Sequence, residues 1–86
     1  MIPKFHRWFI KQYRRMPAAL RKKCDERILL FQKDPFHPIL ENHPLRGTYT
    51  GYRSINITGD WRAVYRKLDD TTVYLVTIGT HPELYG

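Results

Sequence analysis

Along the first third of the chain, Phe5, Trp8, Phe9, Tyr13 and Met16 recur at three- and four-residue steps. Arg7, Lys11, Arg14 and Arg15 occupy the intervening faces, so the spacing predicts an amphipathic helix. Pro17 interrupts the pattern and suits the first position of a second helix, where its missing N–H would have had no partner. In that second segment Leu20, Cys24, Ile28 and Phe31 line one face and Leu29 and Leu30 widen it, while Arg21, Lys22, Lys23, Asp25 and Glu26 cover the rest. Lys33-Asp34-Pro35 ends it, because the residue before a proline is pushed out of the helical region. The pair predicts an antiparallel helical hairpin with a cationic outer surface. Ile2 to His6 stand before it as a candidate short strand, which Pro3 confines to a sheet edge or a strand start.

Residues 34–47, with prolines at 35, 38 and 44 and Arg46-Gly47 at the end, read as an ordered loop anchored by Phe36, Ile39, Leu40 and Leu45. From Thr48 the pattern becomes that of strands. Tyr52–Thr58 alternates, Trp61–Leu68 is rich in aromatic and branched residues, and Thr72–Ile78 is almost wholly made of strand formers. Gly59-Asp60 and Asp69-Asp70 fall between these runs as turn dipeptides, which predicts a three-strand antiparallel meander. Its apolar face needs a cover, and the hairpin is the one available. The expected architecture is therefore α+β. On the first of these strands Arg53, Ile55 and Ile57 share one face, and Tyr52, Ser54, Asn56 and Thr58 the other. A strict two-residue turn puts Arg62, Val64 and Arg66 with the isoleucines, whereas a one-residue bulge reverses the assignment. The sequence leaves both open.

Composition narrows the class. At 86 residues, 42% of them hydrophobic, the chain is expected to form one small domain over 1–86. The short apolar runs predict neither a membrane span nor a signal peptide, hence a cytoplasmic protein. A single cysteine, Cys24, excludes an internal disulfide and a thiolate metal cluster. Fifteen Lys and Arg against eight Asp and Glu give a net charge of +7. The excess is segregated: residues 1–33 hold ten basic and two acidic side chains, whereas 34–86 hold five and six. A polycation confined to one half of the chain favours a polyanionic partner, nucleic acid or an acidic protein segment.

Among the four histidines, His6 reads as a surface residue and His37 as part of a Pro-Phe-His-Pro turn. His43 and His81 stand at element ends, where loops meet a sheet edge and functional groups are commonly held on a rigid scaffold. Their spacing fits no zinc pattern, so no metal and no cofactor is expected. Either histidine alone reads equally well as a hydrogen-bonded loop residue. Their coincidence with arginines, Asp60 and Tyr85 raises a catalytic reading.

Asn42-His43-Pro44-Leu45-Arg46-Gly47, Gly51-Tyr52-Arg53, Asp60-Trp61-Arg62-Ala63-Val64-Tyr65 and Gly79-Thr80-His81-Pro82-Glu83-Leu84-Tyr85 resemble, in residues and in spacing, the YafQ branch of the RelE superfamily. Phe9 to Pro17 is similar to that superfamily's first-helix pattern. The resemblance implies a RelE-like fold and the toxin of a type II toxin–antitoxin module, a ribosome-dependent, metal-free mRNA endoribonuclease. It implies a catalytic set of His43, Asp60, Arg62, His81 and Tyr85. RNA contacts are expected from Arg53, Arg46, Lys22 and Lys23, and the partners from the resemblance are an antitoxin protein and the ribosome with its mRNA. Where the branch carries an Asp and a His after Gly-Tyr-Arg, this chain has Ser54 and Asn56. Neither transfers a proton near neutral pH. That departure keeps two other readings in view, a ParE-like gyrase-directed toxin and a non-catalytic binding relic of the same fold.

Overall fold

In the computed structural model, which describes residues 1–85, His6 marks the boundary between strand and helix. Its Nδ1 accepts the Trp8 N–H at 3.0 Å, satisfying a donor that the first turn of a helix leaves free. His6 is thus a helix cap and not merely a surface residue. Phe5, expected on the helical stripe, belongs to strand β1 (Ile2–Phe5), and still packs on Phe9 with ring centroids 5.3 Å apart. Helix α1 is Arg7–Arg15, with Arg14 and Arg15 in its last turn, where cations oppose the negative end of the helix dipole. Of its neighbouring aromatics only Phe9 enters the core, at 2% exposure; Trp8 stays 50% exposed, with the Lys11 ammonium 5.5 Å from its ring.

Helix α2 is Ala18–Lys33, with Pro17 as its cap. Two contacts set the angle between the helices: Tyr13 donates to Asp25 Oδ1 at 2.7 Å, and Arg21 Nη1 donates to the Met16 carbonyl at 2.6 Å. The carboxylate beside it raises the Tyr13 phenol above its ordinary pKa, through the hydrogen bond first and burial second. Phe5, Phe9 and Tyr13 face Gln32, Ile28 and Asp25 across the groove between the helices, as an antiparallel hairpin requires.

The remaining strands are β2 (His43–Pro44), β3 (Arg53–Thr58), β4 (Trp61–Lys67) and β5 (Thr72–Thr80). They form a five-stranded sheet in the order β1-β5-β4-β3-β2. The sheet is mixed and not purely antiparallel, because β1 pairs parallel to β5, from Ile2 opposite Thr72 to Phe5 opposite Leu75. The helices carry the chain from β1 at one edge of the sheet over to β2 and β3 at the other. The expected meander is β3-β4-β5, and the predicted turn at Asp69 is held by its carboxylate. Asp69 Oδ1 accepts the Thr71 and Thr72 N–H groups, each at 2.8 Å, which lowers the pKa of the acid. Past β1, the β5 edge is closed by a side chain: Gln12 Oε1 accepts the Ile78 N–H at 3.0 Å and the Thr77 hydroxyl at 2.7 Å.

The core joins Phe9, Met16, Cys24, Ile28 and Phe31 of the hairpin to Ile55, Ile57, Ala63, Tyr65, Val73, Leu75 and Ile78 of the sheet. Phe31 meets Tyr65 edge-on at 4.8 Å. In the 34–47 loop Leu40 is the anchor and is fully buried, whereas Phe36 and Ile39, expected beside it, are exposed. The loop turns in a 3-10 helix at Pro38–Leu40, capped by His37, and the chain cannot bury all its apolar side chains there. Phe36 instead lies 5.4 Å from the Arg53 guanidinium.

Cys24 is completely buried, and loss of solvation, then the neighbouring Asp25, pushes its thiol up to about 12. A neutral buried thiol is a poor nucleophile. Alkylation of native protein by iodoacetamide near pH 8 should therefore proceed only through unfolding, at least about 100-fold slower than in urea, as mass spectrometry would record. Native alkylation at the rate of a free thiol would contradict this packing.

Candidate active site

Which face of the sheet Arg62 takes is settled by one extra residue. Asn56 is opposite Arg62 and Ser54 opposite Val64, but Thr58 is opposite Trp61, leaving Ile57 unpaired as a bulge. Directly opposed residues share a face, so Arg62 joins Ser54 and Asn56, and Ile55 and Ala63 face the helices. The guanidinium is held at one corner. Arg62 Nη1 donates to Asn56 Oδ1 at 2.7 Å, to the Gly59 carbonyl at 2.7 Å and to the Trp61 carbonyl at 3.1 Å. Gly59, at φ +51°, supplies the left-handed turn residue that aims its carbonyl there. Among the described residues Nε and Nη2 have no hydrogen-bond partner, and together they present the forked geometry that suits a phosphate.

His43 reaches the same face from β2, directly opposite Ser54. Two residues earlier Glu41 adopts φ +47°, the sole left-handed non-glycine among the described residues, at a cost of about 1 kcal/mol. That turn brings the Glu41 carbonyl to 2.7 Å from His43 Nδ1. A carbonyl only accepts, so Nδ1 carries a proton, and in the neutral ring Nε2 is the nitrogen with the lone pair.

The third contributor is a short helix, α3 (His81–Tyr85), where the sequence pattern marks only an element end at His81. Its start is a reciprocal cap. Glu83 Oε1 accepts the Thr80 N–H at 2.8 Å and the Thr80 hydroxyl at 2.7 Å, the Thr-x-x-Glu arrangement. These bonds lower the Glu83 pKa. The His81 N–H donates to the Asp60 carbonyl at 2.9 Å, which ties α3 to the β3–β4 turn. Gly79 lets the helix close over the sheet, since a Cβ there would lie 3.3 Å from Leu84. Tyr85 then reaches back and donates to Ser54 Oγ at 3.0 Å, with its ring 4.8 Å from that of His81 and nearly perpendicular to it.

His43, Arg62, His81 and Tyr85 are thereby brought to one face around Ser54 and Asn56. Asp60 stands beside them but is exposed, and its contribution is the carbonyl that holds His81. Arg53 is not brought in. It lies on the other face, where its Nε donates to Asn42 Oδ1 at 2.8 Å while Asn42 Nδ2 donates to Tyr65 at 2.8 Å. Arg46 is exposed at the start of the Gly47–Tyr49 turn. Lys22 and Lys23 ride on α2 behind the sheet, Lys23 3.7 Å from Glu26. Among the described residues no three His, Cys, Asp or Glu side chains are grouped to hold a metal ion. The sequence reading missed Asn56 as the anchor of Arg62, Ser54 as the partner of Tyr85, and Glu83. Only the last had a local signal, the Thr80 to Glu83 spacing.

A family described as the YafQ bacterial toxin of type II toxin–antitoxin systems matches residues 2–86. This chain belongs to the YafQ toxin family. Over 52 residues it is 36% identical to the mRNA interferase toxin YafQ of Escherichia coli K12, covering 60% of this chain and 55% of that protein. The aligned stretch thus spans about half the length of the curated relative it matches. The fold is similar to that of a YoeB/ParE toxin from Agrobacterium tumefaciens, with a TM-score of 0.76 and 25% identity over 94% of this chain and 99% of that one. It is also similar to YafQ in the Escherichia coli DinJ–YafQ complex, with a TM-score of 0.67 and 27% identity over 98% and 97% of the two chains. In this member of the YafQ family the two β3 positions that depart from the expected Asp and His carry the hydrogen bonds that fix Tyr85 and Arg62.

The α3 cap makes that arrangement sensitive to acid. Because its bonds depress the Glu83 pKa, the cap is complete above the ordinary carboxylate range, about 4.3, and is lost as the pH falls through the lower folded-state value. The Thr80 amide resonance should titrate below about pH 4.3 in the native protein, and Glu83→Gln, which keeps the acceptor but not the proton site, should abolish that titration. An identical Thr80 titration in the Gln variant would disprove the assignment.

Proposed function

We propose that this chain is the toxin of a type II toxin–antitoxin pair and cleaves mRNA on the ribosome by attack of a ribose 2′-hydroxyl on the adjacent phosphate. Two imidazoles and a guanidinium on one sheet face of a YafQ-family chain, with the Nε2 lone pair of His43 unspent, are what support this reading. In the proposed reaction His43 Nε2 takes the 2′-hydroxyl proton as the oxygen bonds to phosphorus. Arg62 Nε and Nη2 stabilise the charge that gathers on the non-bridging oxygens. His81 gives a proton to the departing 5′-oxygen, leaving a 2′,3′-cyclic phosphate and a 5′-hydroxyl. Tyr85 holds the imidazole of His81 edge-on and lines the place where the phosphate binds.

The partner of such a toxin would be an antitoxin, as in the similar DinJ–YafQ toxin–antitoxin complex of Escherichia coli. A cytoplasmic setting follows from a ribosomal substrate. No helix among the described residues is long and apolar enough to cross a membrane. The cationic helices lie behind the sheet, away from the candidate site. Lys22, Lys23 and their neighbours are therefore suited to ribosomal RNA phosphates or to an acidic antitoxin segment while the opposite face holds mRNA.

Primer extension on mRNA in translating extracts tests the chemistry. Wild-type protein should produce discrete cuts. His81→Gln should lower the cleavage rate by about 10²–10⁴-fold, and Arg62→Ala by about 10²–10³-fold, each without loss of ribosome binding. Growth arrest that persists in the double variant while cellular mRNA stays intact would remove the nuclease reading and favour a gyrase-directed toxin.

A further inference from the structure

Tyr49 and Tyr52 lie outside every role assigned so far, yet they extend the candidate site along β3. Tyr49 meets Tyr52 with ring centroids 6.1 Å apart at 82°, and meets Tyr85 at 6.1 Å and 86°. With His81 against Tyr85 at 4.8 Å, four aromatic rings form an unbroken series from the candidate acid to the end of the sheet. None of these contacts is a parallel stack; the interplanar angles run from 67° to 86°. In an edge-on contact the edge of one ring meets one face of the other, so each pair fixes its rings and leaves the opposite face of the contacted ring uncovered by that partner.

The loop that carries Tyr49 is shaped to present it. Gly47 at φ +66° and Gly51 at φ +93° bracket it, both in conformations that side chains disfavour. A Cβ at either glycine would meet nothing within 4 Å, so the glycines serve the path of the chain and not a close contact. The Thr50 hydroxyl donates to the Gly47 carbonyl at 2.8 Å, and just past Gly51 the Tyr52 N–H donates back to the Tyr49 carbonyl at 2.9 Å. Tyr49 and Tyr52 are only half buried. No hydrogen bond of either phenol to protein occurs among the described residues, in contrast to Tyr13, Tyr65 and Tyr85. Arg46, exposed at the head of the same turn, adds a cation beside the rings.

From Tyr52 to Asn56 a strand rises about 13 Å, so the rings lie one or two nucleotides along from the Arg62 guanidinium. Planar faces beside a cation, one short step from a phosphate-binding fork, are the elements that bind single-stranded nucleic acid. We infer that Tyr49 and Tyr52 form a stacking platform for an unpaired RNA base adjacent to the scissile phosphate, with Arg46 on the neighbouring backbone phosphate. The inference rests on the RNA-directed reading of the site and adds a base-binding subsite to it.

The test uses single-stranded RNA carrying 2-aminopurine at successive positions around one uncleavable 2′-deoxy nucleotide. It is titrated with the whole protein at low salt, where a chain of charge +7 holds RNA through its phosphates. Stacking should quench 2-aminopurine at one or two adjacent positions. Tyr49→Ala or Tyr52→Ala should relieve that quenching and weaken binding by about 5- to 100-fold, and Tyr49→Trp should retain both even where the Ala variants are unstable. Absence of quenching at every position, or quenching unaltered in both Ala variants, overturns the platform. Tyr49-dependent quenching by a protein that leaves ribosomal mRNA intact supports the platform and refutes the nuclease. Cleaved mRNA with Tyr49-independent quenching does the reverse.

Discussion

The unpaired Ile57 in β3 governs the site. A strand alternates its side chains with a period of two, so any one-residue change in register transfers every later side chain to the other face. With Asn56 opposite Arg62 and Thr58 opposite Trp61, the sheet turns Arg62 away from the hydrophobic layer. Without the bulge, a guanidinium would point into a core made of Cys24, Ile28, Phe31 and their neighbours, where an unpaired charge is not tolerated. Bulges near functional sites commonly re-aim a side chain in this way. Here the bulge lets one sheet serve two purposes, with helices packed on one face and polar chemistry gathered on the other.

That division of faces also orders the rest of the molecule. The N-terminal half supplies a hairpin whose apolar stripe covers the sheet and whose cations face outward, behind the candidate site. The loop from 34 to 42 closes the far end through a polar relay, Arg53 to Asn42 to Tyr65, at 2.8 Å in each step. Arg53 is thus a structural residue that shields the rim of the core. On the candidate-site face α3 acts as a strap, tied at its start by Glu83 and at its end by Tyr85 on Ser54. Ser54 is wholly buried beneath that contact.

Long periodic elements were legible in the chain: α2, β3, β4 and β5 follow from spacing and turn residues. Shorter ones were less so. β2 has two residues and exists only because β3 offers a free edge, and β1, legible as a candidate strand before the first helix, takes its parallel sense from pairing with a strand some 70 residues away. Phe9 and Trp8 share the same sequence pattern, and the geometry of the sheet alone decides that Phe9 is buried. Phe36 and Ile39 look like anchors, but a small core had room only for Leu40. Among candidate site residues, His43, Arg62, His81 and Tyr85 converge, while Arg53 stays on the isoleucine face where alternation puts it, apart from them. The roles of Ser54 and Asn56 depend on contacts to residues 31 and six positions away, which local pattern does not reveal.

The account stands on the claim that this polar face directs a 2′-hydroxyl onto its own phosphate. A proton acceptor at His43 and an anchored guanidinium for the phosphate suit attack by a 2′-hydroxyl on its neighbouring phosphate, the nucleophile the proposed reaction uses. The direct measurement is cleavage of an mRNA on programmed ribosomes with one 2′-deoxy nucleotide placed at the wild-type cut. The account predicts that cutting at that position disappears and that the unsubstituted message ends in a 2′,3′-cyclic phosphate. Undiminished cutting 3′ of the deoxy nucleotide would contradict it.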